Sequence, residues 1–155
     1  MDILKRKIMD LNSKDTEILK QLQNNAEISN ARLAKQIGLS PSACLTRVRS
    51  LKSKGIIQMI KAELNEHKLG YSLHVFVYVK LDKQTPDALS YLEGAAKMNS
   101  SIQDCFRMTG EYDYMLRLLL RDTNDLDFFL AHELSRIPDI ASIRTEVAMK
   151  NAKRG

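Results

Sequence analysis

Between residues 13 and 54 the apolar positions recur three and four apart; beyond residue 70 they alternate. The first spacing predicts helices and the second predicts half-buried strands. Ile18, Leu19 and Leu22 share a face of a first helix over residues 13–23, with Ser13 as its expected N-cap and Glu17 in its first turn. "NNAEIS" breaks that pattern. Ser29 is placed to cap a second helix, "NARLAKQI", whose Leu33, Ala34 and Ile37 line one side, and Gly38 follows where a left-handed residue ends a helix. Ser40 and Pro41 then open a third helix that runs to about Lys54 before Gly55. Serine accepts from an orphan first-turn N–H, and proline at the first helical position loses no bond. Cys44, Val48 and Leu51 form the apolar stripe of this helix, with Leu45 beside it. Ser42, Ala43, Thr46, Arg47, Arg49 and Lys52 occupy the opposite side.

The β-branched run "IIQMIKAELN" predicts a short strand and hinge, and "EHKLGYS" with Gly70 is the natural boundary. The expected units are residues 1–62 and 63–155. The second unit reads as a strand in "SLHVFVYVKLD", a helix in "PDALSYLEGAAKM", strands over 102–109 and 113–120 joined by "GEY", a helix in "NDLDFFLAHELSRI" and a closing strand in "ASIRTEVAM". That order, βαββαβ, is the ferredoxin-like arrangement, so the chain is expected to be α+β. Apolar residues occupy both alternating sets of the first strand: Leu73, Val75, Val77 and Val79 on one side, Phe76 and Tyr78 on the other. A sheet with helices on one face only would expose the second set, and sheet-to-sheet dimerisation would cover it.

A helix of eight residues, a glycine turn and a longer basic helix make a helix-turn-helix, whose second helix enters the major groove of DNA with its N-terminal residues leading. Small Ser42 and Ala43 permit close approach to bases, and Arg47, Arg49 and Lys52 reach bases or phosphates. The alternative is a plain three-helix bundle with a charged outer face. Charge bears on that choice. Residues 1–62 carry 12 Lys/Arg against 5 Asp/Glu, a net of +7, whereas residues 63–155 carry a net of −2. A positive field gathered at one end suits a polyanion such as double-stranded DNA.

Other functions find less support. No apolar run approaches the ~20 residues of a membrane helix, and the opening "MDILKRKIMDLNSKD" reads as a solvated basic tail, so a cytoplasmic protein without membrane contact is expected. Cys44 and Cys105 form neither a disulfide framework nor a metal pair and read as small hydrophobes. "HELSR" lacks the second histidine of a zinc helix, and His67, His74 and His132 are scattered. No catalytic order, metal site or cofactor site is expected. "MTGEYDYML", from Met108, is the most unusual segment. Thr109 and Gly110 make a tight turn rich in backbone N–H groups, and Glu111 and Asp113 stand beside Tyr112 and Tyr114. Such a loop offers carboxylates for an ammonium and N–H donors for a carboxylate, as an amino acid requires; equally, it reads as a hairpin whose aspartate caps the turn.

"ISNARLAKQIGLSPSACLTRVRSLKSKGII" followed by "TGEYDYMLR" closely resembles the Lrp/AsnC (feast/famine) family of prokaryotic transcriptional regulators, over residues 11–150. The resemblance implies a winged helix-turn-helix domain, a ferredoxin-like ligand domain, homodimers that assemble further into octamers, and small effectors, frequently amino acids, held near residues 110–114 between dimers. It favours the ligand reading of Met108, Thr109, Gly110, Glu111, Tyr112, Asp113 and Tyr114, and adds the strand over 145–149, with Thr145 and Val147. It also implies DNA contacts by Ser42, Ala43, Thr46 and Arg47, with Arg49 near phosphate, beside Ser40 and Lys52 from the residue reading. One departure is Glu27, where the family often carries arginine before "ISN"; it removes a positive charge near the DNA face and bears on site preference or affinity, not on fold. The expected function is a sequence-specific DNA-binding regulator responsive to an amino acid. The rivals are an effector-free DNA-compacting protein and an enzyme like the haem-pathway decarboxylases that resemble this family.

Overall fold

The computed structural model describes residues 11–152. The basic leader read above falls mostly on the first ten residues, outside that range. The chain divides into two compact units, Met1–Glu63 and Leu64–Gly155.

The first unit holds three helices: α1 (Ser13–Asn24), α2 (Asn30–Ile37) and α3 (Pro41–Ser53). Asn12, not Ser13, caps α1. Its side chain accepts from Asp15 N at 3.0 Å while Asp15 Oδ2 accepts from Asn12 N at 3.3 Å, a reciprocal box that satisfies two donors at once. A cap at Ser13 would place Thr16 at the third helical position, without the carboxylate that Asp15 supplies to the Asn12 box. Ser29 and Ser40 cap α2 and α3 as expected. Gly38 sits at φ 67° and ψ 43°, and Leu39 N returns to Ala34 O, so α2 stops cleanly and the cap of α3, Ser40, follows two residues on. Ile18, Leu33, Ala34, Ile37, Cys44 and Leu51 form the buried core, with Leu22, Val48 and Ile57 packed against it. The strand expected over residues 56–65 is absent. Only Ile57 turns into the core; Met59 is 65% exposed and Ile60 50%, and no described strand lies beside them to complete a ladder. β-Branched residues favour extended backbone but cannot supply the partner that makes it a strand.

The second unit is the expected βαββαβ. β1 (Leu73–Leu81), α4 (Pro86–Met98), β2 (Ile102–Arg107), β3 (Tyr114–Leu120), α5 (Thr123–Phe128) and β4 (Ile140–Val147) build an antiparallel sheet in the order β2-β3-β1-β4. Val75, Val77 and Val79 of β1 pair with Leu118, Leu116 and Tyr114 of β3. All six are buried with Leu92, Ala96, Phe129 and Leu134 of the helical layer. The expected second helix of this unit is broken. After Phe128 it widens into a π turn, Phe129–Glu133, and closes as a 3₁₀ turn, Leu134–Arg136. Phe129 and Leu134 are five residues apart and both buried, a spacing a π turn aligns on one side and an α-helix does not. Phe128, read as part of the bulk of that helix, is 56% exposed and stacks on His132.

The other sheet face carries His74, Phe76 and Tyr78 of β1, Arg117 and Met115 of β3 opposite Phe76 and Tyr78, and Phe106 of β2 opposite Met115. These are half-buried or exposed, so the apolar second set foreseen from the alternation is present and uncovered.

Candidate functional site

In α3 the stripe of Cys44, Val48 and Leu51 faces the core, which turns the opposite side outward. Thr46 lies four residues after Ser42 and three after Ala43, Arg49 lies three further on, and all four are exposed, as are Ser40 and Lys52. The N-terminal turn is held by local hydrogen bonds. Ser40 Oγ accepts from Ala43 N at 3.2 Å and stands 3.2 Å from Ser42 Oγ; Thr46 Oγ1 donates to Ser42 O at 3.0 Å. The turn before it is clamped from both helices. Asn30 Nδ2 donates to Pro41 O at 2.8 Å and Lys14 Nζ to Ile37 O at 2.6 Å. Neither Lys14 nor Asn30 stood out in the sequence, because a long-range bond to a backbone oxygen leaves no local pattern. Arg47 is set apart from its neighbours. It lies one turn before buried Leu51, at the flank of the stripe, and its Nη1 contacts Asp15 Oδ1 at 3.0 Å.

The 108–114 loop is closed by Met108 N donating to Asp113 O at 2.8 Å, with Gly110 at φ 112° in its tip. Thr109 and Glu111 are exposed. The two tyrosines part to opposite sides of the sheet. Tyr112 joins Tyr78 on the uncovered face, ring centroids 5.8 Å apart, with the Arg144 guanidinium 4.6 Å from the Tyr78 ring and 5.2 Å from that of Tyr112. Tyr114 is buried under α4, its hydroxyl donating to Glu93 Oε1 at 2.8 Å. Burial first, then that bond to a carboxylate, push its pKa up to about 12. The Asp113 side chain is already engaged: Leu81 N donates to it at 2.7 Å and Gln84 Nε2 at 2.6 Å. It staples the loop to the end of β1.

Beside this loop, under α4, lies a cavity of about 620 Å³. Glu93 and Lys97 reach it from α4, Cys105 and Arg107 from β2, and Tyr114 from β3. Cys105 is half-buried, and burial, with Glu93 adding to it and Lys97 opposing it, raises its thiol pKa. Cys44 is fully buried, as expected of a small hydrophobe. Nothing local in the sequence singles out Glu93, Lys97 and Arg107, since their meeting depends on how α4 crosses the sheet. Thr145 and Val147 do not join this group within one chain. They pair with Val77 and Val75 of β1, so β1 separates β4 from β3, a gap of about 10 Å. His74 sits on the uncovered face with Nε2 3.2 Å from Glu66 Oε2. The described residues contain no cluster of three or more metal-ligating side chains, and no described helix is long and apolar enough to cross a membrane.

A clamped helix-turn-helix with an exposed, basic second helix, in one chain with a ferredoxin-like unit, defines a DNA-binding transcriptional regulator with a ligand domain. Comparison with known proteins gives the family. Residues 11–58 match the family model of a winged helix-turn-helix DNA-binding domain, and residues 74–155 that of the Lrp/AsnC ligand binding domain. The leucine-responsive regulatory proteins of Salmonella typhimurium and Escherichia coli K12 are each 38% identical over 154 residues, covering 99% of this chain and 94% of theirs. A Neisseria meningitidis transcriptional regulator solved with L-Met has a TM-score of 0.88 and 28% identity over 93% of both chains. The structure of E. coli AsnC gives 0.83 and 28% over 94% of this chain and 96% of that one. The chain belongs to the Lrp/AsnC family.

Proposed function

We propose that this regulator acts by binding alone, as a cytoplasmic homodimer or as an octamer assembled from four such dimers. Two copies of α3 read half-sites on double-stranded DNA spaced by about ten base pairs or a multiple of that. The observation that supports this most is the exposed row of Ser42, Ala43, Thr46 and Arg49 on a helix whose N-terminus is capped and clamped. Ser40 and Lys52 flank that row, and Arg47 stands at its edge. Dimers form through the uncovered sheet face, where Phe76, Tyr78, Met115 and Phe106 would otherwise meet water.

The effector is an amino acid held beside the 108–114 loop. Glu93 offers a carboxylate for its ammonium, and Arg107 and Lys97 offer cations for its carboxylate, around an apolar floor of Ala96 and Ile102. Tyr114, at the end of the loop, lines that cavity, Glu111 is exposed at the loop tip, and Asp113 shapes the loop and does not meet the ligand directly. A second copy supplies Thr145 and Val147, which lie too far away within one chain. The L-Met bound by the Neisseria meningitidis relative makes L-Met the first candidate.

A thermal-shift screen of the amino acids tests this, since binding to the folded state raises the melting temperature. A shift with one side-chain class that Arg107→Ala abolishes, with the effector then altering DNA affinity, is the expected result. DNA affinity alike for promoter and random duplexes, with no effector, favours the compacting protein instead.

A further inference from the structure

Among the cations of α3, Arg47 alone is held by another side chain. Arg49 and Lys52 are exposed and make no ion pair among the described residues. Arg47 Nη1 meets Asp15 Oδ1 at 3.0 Å, and Asp15 is the one charged residue among those described that is buried, at 8% exposure. The second Asp15 oxygen accepts from Asn12 N, and its own N–H is tied to Asn12 Oδ1, so this carboxylate cannot swing. It is an anchor fixed in the first turn of α1. Arg47 spends one nitrogen on it. A guanidinium carries five N–H donors, and the Arg47 side chain remains 35% exposed, so donors are left for another acceptor. Its place at the flank of α3 sets it toward the wall of a groove and not the base edges, which lie under Ser42, Ala43, Thr46 and Arg49.

We propose that Asp15 is a positioning residue for DNA binding: it holds the Arg47 guanidinium in one orientation from which the remaining donors meet a backbone phosphate oxygen beside α3. The proposal rests on the placement of α3 on DNA given above. Its physical content is preorganisation. A long, free arginine loses rotamer freedom on meeting a phosphate, whereas one already fixed loses little and sets the register in which α3 sits. The same pair makes two opposed effects separable. Asp15 is a negative charge close to a polyanion, so electrostatics alone makes its removal favourable to every duplex. Positioning makes its removal unfavourable, but only where α3 is docked in register.

The probe is a duplex enriched from a random library by the full-length protein, set against a scrambled duplex of equal length and composition. Asp15→Asn is expected to lose about tenfold in affinity for the enriched duplex, with affinity for the scrambled one unchanged or higher. In the Arg47→Ala background the same substitution is expected to cost nothing further. A rise in affinity for both duplexes, or a loss that persists undiminished without Arg47, would overturn the proposal. Arg47→Lys keeps the charge without the planar fork and guards against misfolding of the aspartate variant. It is expected to weaken the enriched complex and spare the scrambled one, and wild-type affinity for the enriched duplex would sink the idea. A library that yields no enriched duplex defeats the placement of α3 itself, which is a separate result from an additive cycle.

Discussion

In α3, the residues proposed to meet DNA stand outside the packing. Ser42, Ala43, Thr46, Arg49 and Lys52 are exposed, and the core is completed without them. In the 108–114 loop the order is reversed. Asp113 is bound to Leu81 N and Gln84, Tyr114 is buried against Glu93, and only Thr109, Gly110 and Glu111 are left at the tip. One region displays its chemistry and the other uses most of it to hold itself together. A motif marks where function gathers, but which of its groups stay free is decided by packing.

Core truncation is the severest way to test this division. Ile18→Ala in α1 and Leu116→Ala in β3 each remove a side chain with no exposure, and each is expected to destabilise its own unit by about 2–5 kcal/mol. Urea unfolding followed by circular dichroism measures it. Asp113→Asn comes next. If Asp113 is a staple, the change costs about 1–3 kcal/mol of stability, because the amide oxygen replaces only one of two acceptors. Unaltered stability with lost effector binding would reassign Asp113 to ligand contact and bring the loop closer to α3 in kind.

Tyr114→Phe is smaller, about 1 kcal/mol, and has a pH signature. The folded pKa is raised from 10 to about 12, so the neutral phenol is favoured in the folded state. Its contribution is complete below the unfolded pKa and disappears as pH climbs through the folded one. Alkaline unfolding of the wild type should therefore steepen between about pH 10 and pH 12, and the phenylalanine variant should lack that component. Ser40→Ala is expected to cost about 1 kcal/mol of helix stability through the lost bond to Ala43 N, with no change in the effector shift.

Much of the fold was legible. The caps at Ser29 and Ser40, the left-handed Gly38 and the bounds of α4 follow from residues within a few positions of each other, so local chemistry specifies them. The missing strand over 56–65 and the π turn at Phe129–Glu133 were not legible. A strand requires a neighbour, and the π turn arises from the demand to bury Phe129 and Leu134 together. The candidate site divides in the same way. Helical periodicity placed the outward row of α3. Nothing near Asp15 indicated its pairing with Arg47 across 32 positions, and nothing in "GEYDY" indicated that its two tyrosines leave on opposite sides of the sheet.

The chain's two cysteines differ sharply in access: Cys44 is sealed in the helical core, and Cys105 opens on the cavity beneath α4. A maleimide dye applied to the native protein would therefore load a single thiol without any engineered residue. That fluorophore would stand at the rim of the space assigned to the effector, and its emission would report occupancy there in real time.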